Sequence, residues 1–101
     1  MLMKHEDRKK LKREYRELWK LVEVAVNRVD PIGLLALGMP DDEYEAEITE
    51  VVVKVKSAES KEALGEAIYQ IFVEWFEPHT AGPRNLYDEI ANEIWGHVRG
   101  Q

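Results

Sequence analysis

Apolar residues recur along the first third of the chain at alternating steps of four and three: Leu11, Tyr15, Leu18, Val22, Ala25 and Val29. That spacing places them on one side of a 3.6-residue helix and predicts a long first helix with a single buried stripe. Trp19, Leu21 and Val26 widen the stripe towards its C-terminal half, whereas residues 1–10 have almost no apolar face and are expected to be frayed or solvated. Asp30-Pro31 ends the helix, because proline clashes with a continuing turn and restricts the residue before it.

The next segment, Pro31 to Gly38, is short and apolar. Asp30 is placed to cap it, Pro31 to open a helical turn over Ile32 to Leu37, and Gly38 to stop it. Pro40-Asp41-Asp42-Glu43 then reads as a second helix start, with acids where the macrodipole favours negative charge. Tyr44, Ile48, Val51, Val52 and Val55 form its apolar face. The β-branched run Val51-Val52-Val53 makes a strand over Ile48 to Val55 the local alternative, and the helical spacing with its acidic cap is favoured over it.

Ser57 to Ser60 is a polar link, with Ser60 as the cap of a third helix carrying Leu64, Ala67, Ile68, Ile71, Phe72, Trp75 and Phe76. Glu77-Pro78 ends that helix, and His79 to Pro83 reads as a turn-rich loop. A last helix carries Leu86, Tyr87, Ile90, Ala91, Ile94, Trp95 and Val98. The expected fold class is all-α: a single domain over residues 1–101, built as a small antiparallel four-helix bundle with a short helical turn inserted between helices 1 and 2.

A chain of 101 residues has room for one core. It contains no cysteine, which removes disulfides, thiol catalysis and cysteine-ligated zinc. The expected setting is cytoplasmic, since no apolar run approaches the roughly 18 residues a membrane helix needs and no signal-like segment opens the chain. The net charge of −6 hides an asymmetry. Residues 1–20 hold eight Lys/Arg against four acids, and the remainder holds six against sixteen. Either half could steer a partner of opposite sign.

Catalytic sets are hard to assemble. His5, His79 and His97 are scattered, Glu93 and His97 make two ligands and no site, and Ser57 and Ser60 are better used as turn and cap residues. Glutamate pairs three or four apart, such as Glu43/Glu47, Glu47/Glu50, Glu59/Glu62, Glu62/Glu66 and Glu89/Glu93, keep a magnesium-dependent all-helical nucleotide phosphohydrolase as the enzymatic alternative. Twenty acids in a helical protein produce such pairs by chance, so no metal and no cofactor are assigned. The basic N-terminal helix lacks interleaved aromatics, and its acids Glu6, Asp7, Glu14 and Glu17 dilute it, which weighs against nucleic acid. Self-association through the Leu11–Val29 stripe stays open.

The densest charge lies in Asp41 to Glu50, where six acids fall within ten residues. Asp41, Asp42, Glu43, Glu47 and Glu50 are therefore the candidate contacts for a strongly basic protein, with Tyr44 as an aromatic anchor at their edge. The same region carries a family resemblance. Asp30-Pro31-Ile32-Gly33-Leu34, followed by Gly38-Met39-Pro40-Asp41-Asp42-Glu43-Tyr44 and Glu47, resembles the DPxGL…GxPxDEYxxE pattern of the small bacterial YugE-like family of unknown function. The family consists of short helical proteins, and similar domains occur among proposed immunity proteins of bacterial toxin systems, including contact-dependent growth inhibition. The chain departs from the pattern in Val29, where a tryptophan often precedes the Asp-Pro pair, and in its long basic N-terminal helix. The resemblance implies a non-enzymatic binding protein with a toxin as partner. On this reading Asp30, Pro31, Gly33, Gly38 and Pro40 shape the chain, and Asp42, Glu43 and Glu47 face outwards.

Overall fold

The computed structural model describes residues 5–40 and 43–98. It contains five helices and, among the described residues, no strand: α1 His5–Glu14, α2 Arg16–Val29, α3 Glu45–Ser57, α4 Lys61–Ala81 and α5 Asn85–Val98. The radius of gyration, 12.6 Å, matches the value of about 13 Å for a packed chain of this length. Helix α2 lies against α3 and α5, α3 against α4, and α4 against α5, so four helices close a ring around one core. Helix α1 sits outside the ring, on α2 and α3.

The core is built from the stripes that the spacing predicts. Val22, Ala25 and Val26 of α2, Ile48, Val51 and Val52 of α3, Leu64, Ile68 and Phe72 of α4, and Ile90, Ala91 and Ile94 of α5 are all fully buried. Each large aliphatic or aromatic side chain so buried stabilises the fold by about 1.5–3 kcal/mol. Phe72 is the aromatic centre: its ring meets Tyr44 at 5.8 Å, Tyr87 at 5.2 Å and Phe76 at 5.9 Å between centroids. Three interior polar groups are tied into the packing. Trp19 Nε1–H donates to Thr49 Oγ1 at 3.3 Å, the Thr49 hydroxyl donates to the Glu45 carbonyl at 2.8 Å, and the Tyr87 hydroxyl donates to the Ala81 carbonyl at 2.6 Å. Tertiary burial overrides the strand propensity of Val51-Val52-Val53, because a helix places Val51, Val52 and Val55 on the one face that packs while Val53 is 41% exposed.

Three boundaries differ from expectation. The first helix is interrupted at Tyr15, which has ψ 43° although hydrogen bonds continue on both sides of it. No proline or glycine marks the position; the contacts there are tertiary, with Lys56 of α3 donating to the Tyr15 hydroxyl and its ammonium lying 3.8 Å from the ring centroid. Residues 5–10, expected to be frayed, are helical, with Arg8 half-buried; Met1 to Lys4 lie outside the described residues. At the other end, Pro78 to Ala81 form a further helical turn instead of a loop, closed by the Gly82 N–H on the Pro78 carbonyl. The cap at Ser60 is as expected, its Oγ accepting from the Ala63 N–H at 3.0 Å.

Glu77 breaks α4 at φ 72°, ψ 155°, a region that only glycine occupies without strain. Its side chain is exposed, so replacing it sacrifices no packing. Glu77→Gly is expected to raise stability by about 1 kcal/mol, as relief of the positive φ outweighs the added freedom of the unfolded chain. Chemical denaturation checks this, and a loss of stability would contradict the strained geometry.

Candidate functional site

The link between α2 and α3 is organised by two side chains. Asp30 ends α2 in the left-handed conformation, φ 49°, ψ 59°, with its N–H on the Val26 carbonyl. Aspartate tolerates that conformation better than most residues. Its carboxylate reaches across the following turn to accept from the Leu35 N–H at 3.1 Å and the Ala36 N–H at 3.0 Å. The Tyr44 hydroxyl donates to the same carboxylate at 2.6 Å and accepts from the Ile32 N–H at 3.1 Å and, more weakly, the Leu34 N–H at 3.5 Å. Four backbone donors of a non-helical segment thus find partners on one carboxylate and one phenol.

The titration behaviour follows from this wiring. Partial burial pushes the Asp30 carboxyl up, but the Tyr44 hydroxyl and the Leu35, Ala36 and Gly33 N–H groups together outweigh it and hold it below its ordinary value. Burial, then the hydrogen bond to Asp30, drives the Tyr44 phenol well above its ordinary range. At neutral pH the pair is a charged acceptor and a neutral donor.

The expected helical turn over Ile32 to Leu37 is present as hydrogen-bonded turns, with one helical bond from the Leu37 N–H to the Gly33 carbonyl. Gly33 and Gly38 have φ of 85° and 88°, and a Cβ at either would meet nothing within 4 Å. Conformation, not space, requires glycine at both. Ile32, Leu34 and Leu35 pack against the core, whereas Leu37 is 78% and Met39 43% exposed. The apolar link therefore turns half of its apolar residues outwards.

The acidic stretch is also rearranged. Helix α3 starts at Glu45, later than expected, with Tyr44 at its N-cap position. Tyr44, read both as part of the buried apolar face and as an aromatic anchor at its edge, is interior at 0% exposure, and Glu47, expected to face outwards, is interior at 4%. Tyr44 cannot serve as an edge aromatic because its ring packs on Phe72 and its hydroxyl is spent on the loop. Glu43 and Glu50 remain half-exposed, as does Glu45, whose carboxylate lies 3.4 Å from Lys12 Nζ. Glu50 is oriented by Trp75, whose Nε1–H donates to it at 2.8 Å. Asp41 and Asp42 lie outside the described residues.

Among the described residues no three His, Asp or Glu side chains converge as a metal site would. Several paired acids have other roles: Glu66 meets Arg84 and Gln70, Glu93 meets Arg28, and Glu47 is buried. No described helix is long and apolar enough to cross a membrane.

No protein-family model, curated protein or solved structure matches the chain. The site therefore has to be read from its own geometry. The loop tied down by Asp30 and Tyr44 carries Leu37 and Met39 exposed on its outer side. Sequence reasoning missed Leu37 and Met39 because Leu34, Leu35 and Leu37 carry the same apolar signal, and only the turns decide which of them points inwards.

Proposed function

We propose that this chain is a non-enzymatic protein-binding domain of the YugE-like kind, an immunity protein that neutralises a cognate bacterial toxin in the cytoplasm by covering a basic surface. The observation that carries the reading is the exposed apolar tip, Leu37 and Met39, on a loop fixed by the Asp30–Tyr44 pair. A tip held in one conformation before contact loses little freedom on binding, which favours affinity. Glu43, Glu45 and Glu50 on the neighbouring stretch supply the negative field that speeds encounter with a basic partner. The finer architecture belongs to the same proposal: short links and the ring of contacts support an antiparallel four-helix bundle that holds the loop in place.

The test is to mix the purified chain with the toxin-like product of the adjacent gene and to measure association at low and high salt. Leu37→Ser is expected to weaken the complex about tenfold or more, the range of an interface hot spot, while leaving the melting temperature unchanged. Glu43→Lys combined with Glu50→Lys slows association and has less effect on dissociation. No complex with any toxin-like neighbour, or a Leu37→Ser variant that binds like the parent, would overturn the proposal.

A further inference from the structure

Helix α1 has two chemically distinct faces. Arg8, Lys9, Lys12 and Arg13 fall within one side of the helix at 100° per residue, and together with Arg16 and Glu45 they line a groove of about 420 Å³. Asp7, Lys10, Leu11 and Glu14 line a separate depression on the opposite side. Asp7 is thus set apart from the cations of the groove, whereas Glu14 and Glu17 share a further depression with Arg13 and Arg16. Five cationic side chains share the groove with one carboxylate, and that carboxylate belongs to α3.

Lys12 is engaged: its ammonium lies 3.4 Å from Glu45 and 4.3 Å from the Trp19 ring centroid. Lys9, Arg13 and Arg16 are exposed and have no ion-pair partner among the described residues. Like charges held this close raise one another's energy unless an anion joins them. Arg8 and Lys12 are about 6 Å apart along the α1 axis, as are Lys9 and Arg13, and Arg16 follows beyond the break at Tyr15. Two parallel rows at that pitch suit an anion with charges repeated along a line, and three of the five cations are guanidinium groups, which bind phosphate oxygens through two N–H groups at once.

We propose that the α1 groove binds the phosphodiester backbone of a single-stranded nucleic acid. Repeated phosphates at a step comparable to the four-residue advance of about 6 Å satisfy both rows, whereas a single small anion would meet only one or two of the cations. The acids of α4 and α5 do not oppose the contact directly, because α1 touches only α2 and α3, and exposed charges beyond about 8 Å are screened at physiological salt. This inference is independent of the docking loop, which contributes no residue to the groove.

The experiment is a fluorescence-anisotropy titration of the full chain against a labelled RNA single strand of about twelve nucleotides. With four to five phosphates neutralised, affinity should fall about a hundredfold between about 50 and 200 mM salt, a logarithmic slope near −3. The variant Lys9→Gln/Arg13→Gln/Arg16→Gln should reduce that slope by about 2 with an unchanged melting curve, and Arg16→Gln alone by about 0.7. Lys54→Gln/Lys61→Gln, which changes cations outside the groove, should bind like the parent. Absence of binding at low salt, or a triple variant indistinguishable from the parent, overturns the proposal. So does equal binding of polyglutamate, since that outcome identifies an acidic protein segment as the occupant.

Discussion

Tyr44→Phe is expected to destabilise the chain by about 3 kcal/mol, although it removes a single oxygen. That oxygen donates to a carboxylate at 2.6 Å and accepts from two backbone N–H groups. A hydrogen bond to a charged group contributes about 1.5–3 kcal/mol, and a part-buried N–H left without an acceptor costs about 1–3 kcal/mol more. For a domain of this size the loss corresponds to a melting temperature lower by about 15 °C. The ring remains to pack against Phe72, so the effect isolates the hydroxyl. Asp30→Asn keeps a residue that tolerates the left-handed conformation and weakens the same pair from its other side. A double-mutant cycle between the two should give a coupling of about 1.5–3 kcal/mol, and additive behaviour would show that ring packing alone fixes the loop.

Glu47→Gln should have the opposite sign, and its effect should depend on pH. Glu47 is 4% exposed, and its Oε1 has no hydrogen-bond partner among the described residues. Burial pushes its carboxyl from an ordinary 4.5 up to about 7, its own backbone N–H opposes this, Glu50 and Glu43 push further up, and Arg8 pulls down. Between pH 4.5 and 7 the folded chain therefore holds a proton that the unfolded chain has released. Stability contributed by that proton is fully present below the lower value, declines as pH rises and is gone above about 7. Allowing for partial solvation, the decline amounts to about 2 kcal/mol. The amide carries no charge, so the variant should lose this slope and exceed the parent by a similar amount above neutrality. Urea denaturation of both proteins across that pH range measures it; parallel profiles would mean that Glu47 reaches water as a carboxylate.

On the proposed function, Tyr44 matters through the loop it flanks. Tyr44 holds the tip that presents Leu37 and Met39, so Tyr44→Phe should weaken a toxin complex by loosening the tip, even though Tyr44 itself touches no partner. On the same proposal Leu37→Ser should remove the contact without disturbing the fold, since Leu37 is 78% exposed. Comparing the two variants separates the apolar contact from the rigidity behind it.

The sequence alone determined the all-helical class, the buried stripes of all four ring helices, the Ser60 cap and the break at Glu77-Pro78. These are set by local spacing and by residues whose backbone preferences act wherever they occur. Tertiary structure alone decided the direction of individual side chains where spacing is silent. Outside a regular helix no period assigns a face, so only the turns put Leu35 against the core and Leu37 in water. Helical spacing already puts Tyr44 on the apolar face, but only the fold commits its hydroxyl to Asp30, fourteen residues away; Glu47 looks like a surface residue because its neighbours are acidic, yet the packing of α3 draws it in. The two faces of α1 follow from helix geometry, but only its placement beside Glu45 of α3, after the break at Tyr15, makes one of them a groove.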